Sequence, residues 1–141
     1  MSEEPLSLDV GAARALREAQ ALCYRHRVAI VTPEHLLAAA FAVLARSAAP
    51  GPEPAALEAA VIAVHGTGAD PLDRDIVFGP GARECISLAA RTARETGAAT
   101  ITAADLARAT IRSGEVSPAF FAALGRSRQE LLAALGGAPG N

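Results

Sequence analysis

One segment occurs twice in this chain. Residues 11–41, GAARALREAQALCYRHRVAIVTPEHLLAAAF, lie without a gap over residues 81–111, GARECISLAARTARETGAATITAADLARATI, at an offset of 70 positions. Identities fall at Gly11/Gly81, Ala12/Ala82, Ala19/Ala89, Ala29/Ala99, Thr32/Thr102, Leu36/Leu106 and Ala39/Ala109, with conservative matches at Leu16/Ile86, Val31/Ile101 and Phe41/Ile111. Alanine fills 35 of the 141 positions, so seven identities in 31 are modest alone. The shared pattern is more persuasive, and a repeat of this kind decides the architecture before any single motif does.

In the first copy Leu8, Ala12, Ala15, Leu16, Ala19, Leu22 and Cys23 recur at spacings of three and four, one face of a helix. In the second, Phe78, Ala82, Cys85, Ile86, Ala89 and Ala93 take the same places. A short break follows in each, Arg27–Val31 and Gly97–Ile101, and then a second helix. Repeat 2 continues with a predicted helix over Ser117–Leu124, a stop at Gly125 and a last helix over Ser127–Leu135. Repeat 1 is shorter: SAAPGPE (47–53) breaks the chain and only Pro54–Val64 reads as helical. The expectation is a single all-α domain over 1–141, with two pseudo-symmetric bundles of three to four helices and seven to eight helices in all. Repeat 1 spans about 6–65, a turn-rich linker 66–77, repeat 2 about 78–136 and a loose tail 137–141. The abundance of alanine and absence of tryptophan suit close-packed helices with small side chains at their contacts.

All 13 basic residues are arginine, against 15 acids, for a net charge of −2. That balance speaks against an electrostatic nucleic-acid binder. Cys23 and Cys85 form no CxxC pair and read as reduced, buried small hydrophobes. MSEEPLSLDV lacks the basic, apolar, small-residue order of a signal peptide, and no apolar run approaches the roughly 20 residues of a membrane helix. A soluble cytoplasmic protein with no membrane partner is expected.

VTPEHLLAAAF (31–41) could be taken for an acid/base pair, Glu34 and His35, or for a helix start. With Thr32 as N-cap, its hydroxyl accepts a first-turn N–H. Pro33 takes the first helical position, where its missing N–H costs nothing. Glu34 meets the positive end of the helix dipole, and Val31 with Leu36 fits a hydrophobic staple. Ile101, Thr102 and Leu106 repeat the arrangement, with Asp105 completing a Thr-x-x-Asp capping box. Every residue thus has a structural role, and His35 is expected to pack or hydrogen-bond locally. His26, His35 and His65 show no metal-ligand spacing, so no metal and no cofactor are expected. GxSxG and the P-loop GxxxxGK[ST] are both missing from the sequence. Arg25, His26 and Arg27, beside Tyr24, form the only local basic cluster and read as a solvated helix end.

The doubled unit, VTPEHLL, and the words YRHRVAIVTPEHLLAA and LGRSRQELLAAL resemble the Clp N-terminal domain (Clp repeat domain) at the head of ClpA, ClpB and ClpC unfoldases, over about residues 6–136. In that family each copy is a four-helix unit whose second helix opens with a motif close to [IV]-[GT]-x-E-H-[IL]-L. The resemblance implies protein interaction without catalysis: docking of Clp substrates, adaptors or Clp ATPase and protease components. The candidate partner-binding residues are Thr32, Glu34, His35, Arg25 and Arg27. By position, Glu34 would take the place of the glutamate that helps bind phosphorylated arginine in ClpC-type members. Physically, a carboxylate can pair with a guanidinium while helix N-terminal amides take the phosphate. In repeat 2 Ala104 and Asp105 replace Glu and His, so the resemblance implies no equivalent glutamate there. No ATPase module follows, which leaves a free-standing Clp-repeat protein or an excised piece. From a different class, an all-α regulator binding a small ligand between the two repeats remains an alternative; an enzyme built on Glu34 and His35 lacks an evident third group.

Overall fold

Asp9 begins the first helix: its carboxylate accepts the Ala12 N–H at 2.7 Å, capping α1 (Val10–His26). The computed structural model describes residues 6–136, so the tail expected at 137–141 lies outside the described residues. After α1 come α2 (Pro33–Ala45) and α3 (Pro54–His65), then α4 (Pro80–Glu95), α5 (Ala103–Arg112), α6 (Pro118–Leu124) and α7 (Arg128–Gly136). Repeat 1 therefore holds three helices and repeat 2 four, within the expected range. The segment SAAPGPE forms turns between α2 and α3, and Gly125 stops α6 in the left-handed conformation.

The breaks after the long helices hold structure that periodicity alone does not show. They carry strands β2 (Ile30–Val31) and β4 (Thr100–Ile101), while β1 (Ser7–Leu8) and β3 (Val77–Phe78) precede α1 and α4. β1 pairs in parallel with β4 and β2 with β3. Since Ser7 and Val77, like Ile30 and Thr100, stand 70 positions apart, each repeat gives its lead-in to the break of the other. The last residue of the expected 66–77 linker, Val77, is thus already part of a sheet. Gly79 N–H extends the ladder to Val31 O at 3.0 Å, as Asp9 N–H does to Ile101 O at 2.9 Å.

Both long helices end in the same way. Val28 N–H bonds Cys23 O at 3.0 Å and Ala98 N–H bonds Ala93 O at 2.9 Å, the six-residue loop of a Schellman stop. Such a stop needs a left-handed residue. Repeat 2 supplies Gly97 (φ 75°), whereas repeat 1 forces Arg27 into it (φ 61°). An added Cβ at Gly97 would meet nothing within 4 Å. Gly97→Ala is therefore expected to lower stability by about 1 kcal/mol through backbone strain alone, seen as an earlier urea midpoint at unchanged slope. A neutral result would show that the stop relaxes.

α2 lies at the centre. Glu34 to Phe41 are buried without interruption, which is the burial of a helix packed on all sides, here by α1, α3 and α5. The main core joins Leu37 and Phe41 of α2 to Leu57 and Val61 of α3, Leu106 and Ile111 of α5, Phe120 of α6 and Leu131 of α7. A smaller cluster gathers Val31, Leu36, Ala19, Ala39 and Ala82 around Cys23 and Cys85. The staple pair Val31 and Leu36 thus stands in one cluster. Both thiols are free and buried, and burial pushes the Cys23 thiol up to about 12 and Cys85 up as well. Among the described residues no helix is long and apolar enough to cross a membrane.

Candidate functional site

Thr32 caps α2 as expected, and the residue that closes the box is His35. The His35 N–H donates to Thr32 Oγ1 at 3.3 Å, while His35 Nδ1 accepts from Thr32 N–H at 3.1 Å and lies 2.7 Å from Thr32 Oγ1. A capping box more often carries Glu or Gln at this place. Repeat 2 uses the carboxylate instead: Asp105 accepts the Thr102 N–H at 2.9 Å and returns its own N–H to Thr102 Oγ1 at 3.0 Å. With Nδ1 of His35 an acceptor, its proton belongs on Nε2, and that nitrogen is buried with no partner among the described residues. Burial, then the neighbouring His65 and His26, pull the His35 pKa down to about 4, so the ring is neutral at pH 7.

Glu34 is only 3% exposed. One carboxylate oxygen, Oε2, accepts the Ser117 N–H at 2.6 Å, across 83 positions of sequence. The other, Oε1, takes His65 Nε2 at 2.9 Å. Ser117 is the N-cap residue of α6 and its own hydroxyl makes no cap bond, so Glu34 of repeat 1 does that work for repeat 2. The carboxylate therefore stands between two helix N-termini, where the dipoles favour negative charge. Burial raises its pKa, but the Ser117 N–H and His65 outweigh that and the net shift is downward. Position 104, the repeat-2 counterpart, is alanine, and the N-cap of α3, Glu53, has no side-chain cap bond. The bridge runs one way only.

The three histidines, scattered in sequence, form a row. His35 stacks on His65 (ring centroids 5.1 Å, 24° between planes) and lies 6.4 Å from His26. His26 is 4% exposed and its Nε2 sits 2.7 Å from Glu58 Oε2 of α3. The expected solvated helix end is accordingly corrected at His26, which α3 covers. Arg25 remains half-exposed and reaches Glu58 Oε1 at 3.3 Å and Glu18 Oε2 at 3.8 Å. Arg27, exposed, fixes the loop after α3 through Nη1 to Ala69 O at 2.9 Å. Thr32, Glu34 and His35 thus share one buried network with His65, whereas Arg25 and Arg27 lie on its rim.

Thr32, His65 and Glu34 do not form a nucleophile–base–acid relay. Thr32 Oγ1 and Glu34 Oε1 approach the same ring nitrogen of His65, at 3.1 and 2.9 Å. A nucleophile–base–acid relay needs the two on opposite nitrogens. Among the described residues no group of three or more His, Cys, Asp or Glu is arranged to hold a metal ion, histidine row included. His65, Glu58 and Ser117 are the members that sequence reading did not connect. Ser117 was visible as a helix start, but nothing near it signals a cap from residue 34.

No family model and no curated protein matches the chain. Solved structures do. The N-terminal domain of the caseinolytic protease associated chaperone ClpD from Arabidopsis thaliana superposes with a TM-score of 0.70 at 17% identity, over 91% of both chains. The fold is that of a Clp N-terminal domain. A structure from work on a malarial protein secretion system agrees, with TM-score 0.67 and 16% identity over 92% of both chains. The resemblance read from VTPEHLL and the 70-residue repeat thus holds at the level of fold. The parallel pairs β1–β4 and β2–β3 each join a strand of one repeat to a strand of the other.

Proposed function

We propose that this chain is a non-catalytic docking module that presents substrates or adaptors to a Clp-type unfolding and proteolysis machine. The observation that carries the reading is the Clp N-terminal fold over nine-tenths of the chain. The surface supports it. Ile30 and Val77, partners across β2 and β3, are 51% and 54% exposed, and two large apolar side chains set side by side on a surface strand pair are suited to meeting another protein. In this reading Thr32, Glu34 and His35 act by fixing the start of α2 and the entry to α6, while Arg25 and Arg27 contact partners from the rim. Phosphoarginine at Glu34 requires His65 to turn away from Oε1 first. The alternative, a small ligand held between the repeats, has less support: Leu36, Leu37 and Phe41 of α2 and Leu106 and Ile111 of α5 fill that junction and are fully buried.

The immobilised chain is expected to enrich Clp components or Clp substrates from cell lysate, and Ile30→Glu with Val77→Glu is expected to weaken that capture. Consistent enrichment of unrelated proteins would overturn the reading.

A further inference from the structure

The two repeats carry equivalent clefts between their first and second helices, and these have diverged. In repeat 1 the cleft between α1 and α2 is about 60 Å³ and is partly closed by Pro54 and Glu58 of α3. Its charges are spent on each other: Arg25 on Glu18 and Glu58, and Arg46 on Glu18. In repeat 2 the cleft between α4 and α5 is about 210 Å³. Leu88, Thr92, Arg108 and Arg112 stand there in place of Glu18, Leu22, Ala38 and Ala42. On one wall an acid has become leucine and a leucine threonine, and on the facing wall two alanines have become arginine.

The arginines are not equivalent. Arg108 lies 3.5 Å from Asp105 Oδ1 and donates to Leu135 O at 3.4 Å, so its charge is offset and its fork is held. The Arg112 side chain makes no ion pair or hydrogen bond among the described residues, one turn further along the same helix and at the cleft. The cleft therefore offers one uncompensated positive charge beside an apolar floor of Leu88, Ala89 and Ala109, with the Thr92 hydroxyl at its edge.

We propose that this cleft binds the C-terminal end of a protein segment, its α-carboxylate on Arg112 and its last, apolar side chain on Leu88 and Ala109. The proposal deepens the docking reading above and rests on it. One net positive charge matches one carboxylate, and guanidinium pairs with carboxylate through a two-pronged fork. The volume lies below the several hundred Å³ usual for drug-sized ligands and fits one terminal residue. A terminal residue also carries its carboxylate and its side chain on one carbon, whereas an internal Asp or Glu brings chain on both sides that a cleft this short does not house.

Amide-resolved NMR titration of the intact chain with N-acetyl-Ala-Leu tests it. Saturable shifts at 88–92 and 108–112 in the millimolar range are expected, absent with the C-terminally amidated peptide and about tenfold weaker in Arg112→Gln, a change at an exposed side chain. Equal shifts with the amidated peptide, unsaturable shifts, or no effect of Arg112→Gln would overturn the site. Equal binding of N-acetyl-aspartamide, which carries only a side-chain carboxylate, would overturn the assignment to a chain terminus. The two readings fail separately: Clp partners captured equally well by Arg112→Gln would sink the cleft alone, and a lysate yielding no Clp partner would sink the docking role while the titration stands.

Discussion

Glu34→Ala is expected to destabilise the domain by about 2–3 kcal/mol, the usual effect of leaving a buried hydrogen-bond donor without its acceptor. Two losses coincide. Ser117 N–H, now 2.6 Å from Oε2, is left without an acceptor at the start of α6. His65 loses its carboxylate at 2.9 Å. Because α6 packs on α3, the loosened cap acts on the contact between the repeats. Glu34→Gln keeps an acceptor of the same shape for Ser117 and sheds only the charge, so a smaller loss of about 1–2 kcal/mol is expected. Urea unfolding at pH 7 measures both. If Glu34→Ala falls within about 0.5 kcal/mol of the wild type, as surface substitutions do, then the carboxylate is free for a ligand and its structural role is refuted. The ordering also decides how binding data are read: a phosphoarginine signal lost in Glu34→Ala but kept in Glu34→Gln reports damage to the fold rather than a ligand contact.

Much of this architecture was legible because its signals are local. Thr32 and Thr102 as caps, Pro33 at the first turn and Gly125 as a stop each follow from three or four adjacent residues. The duplicated helix face then follows from period. The strands were hidden because each is two residues long and pairs with the other repeat, so neither alternation nor a turn marks them. Glu34 shows the limit most clearly. Its first-turn position was correct, but its partner sits 83 positions away, and a backbone N–H carries no side-chain identity for a sequence to display. His26 illustrates the same point in reverse. Flanked by two arginines it reads as solvated, and only the arrival of α3, with Glu58, buries it. The cleft of repeat 2 was in principle readable, since Ala38/Arg108 and Ala42/Arg112 differ at aligned positions. Recognising that the two positions face a shared groove needed the packing of α4 on α5.

The second large effect is on pH. His35 has a folded pKa near 4 against about 6.5 in an unfolded chain, so between those values the unfolded state binds the proton and the folded state does not. Stability contributed by the neutral ring is therefore fully present above pH 6.5 and drains away as the pH falls toward 4, by about 3 kcal/mol in total. Glu34 and Glu58, both held below the usual carboxylate value, add a further loss in the same direction at lower pH, as each is protonated. The physical cause at His35 is its setting: a buried ring whose Nδ1 is already used as an acceptor by the Thr32 N–H, stacked on His65 and near His26, where burial and the two other rings disfavour an added charge. Urea midpoints taken every half unit from pH 7.5 to 4.5 should fall steadily below 6.5. His35→Gln keeps an acceptor for the cap and removes the titration, so its midpoint should start lower at pH 7.5 and decline less steeply between 6.5 and 4.5. His26 and His65 are present in both proteins, which makes the difference in slope specific to His35. Parallel profiles would place the acid sensitivity elsewhere and overturn the assignment of a neutral, buried His35 as the residue that ties the start of α2 to pH.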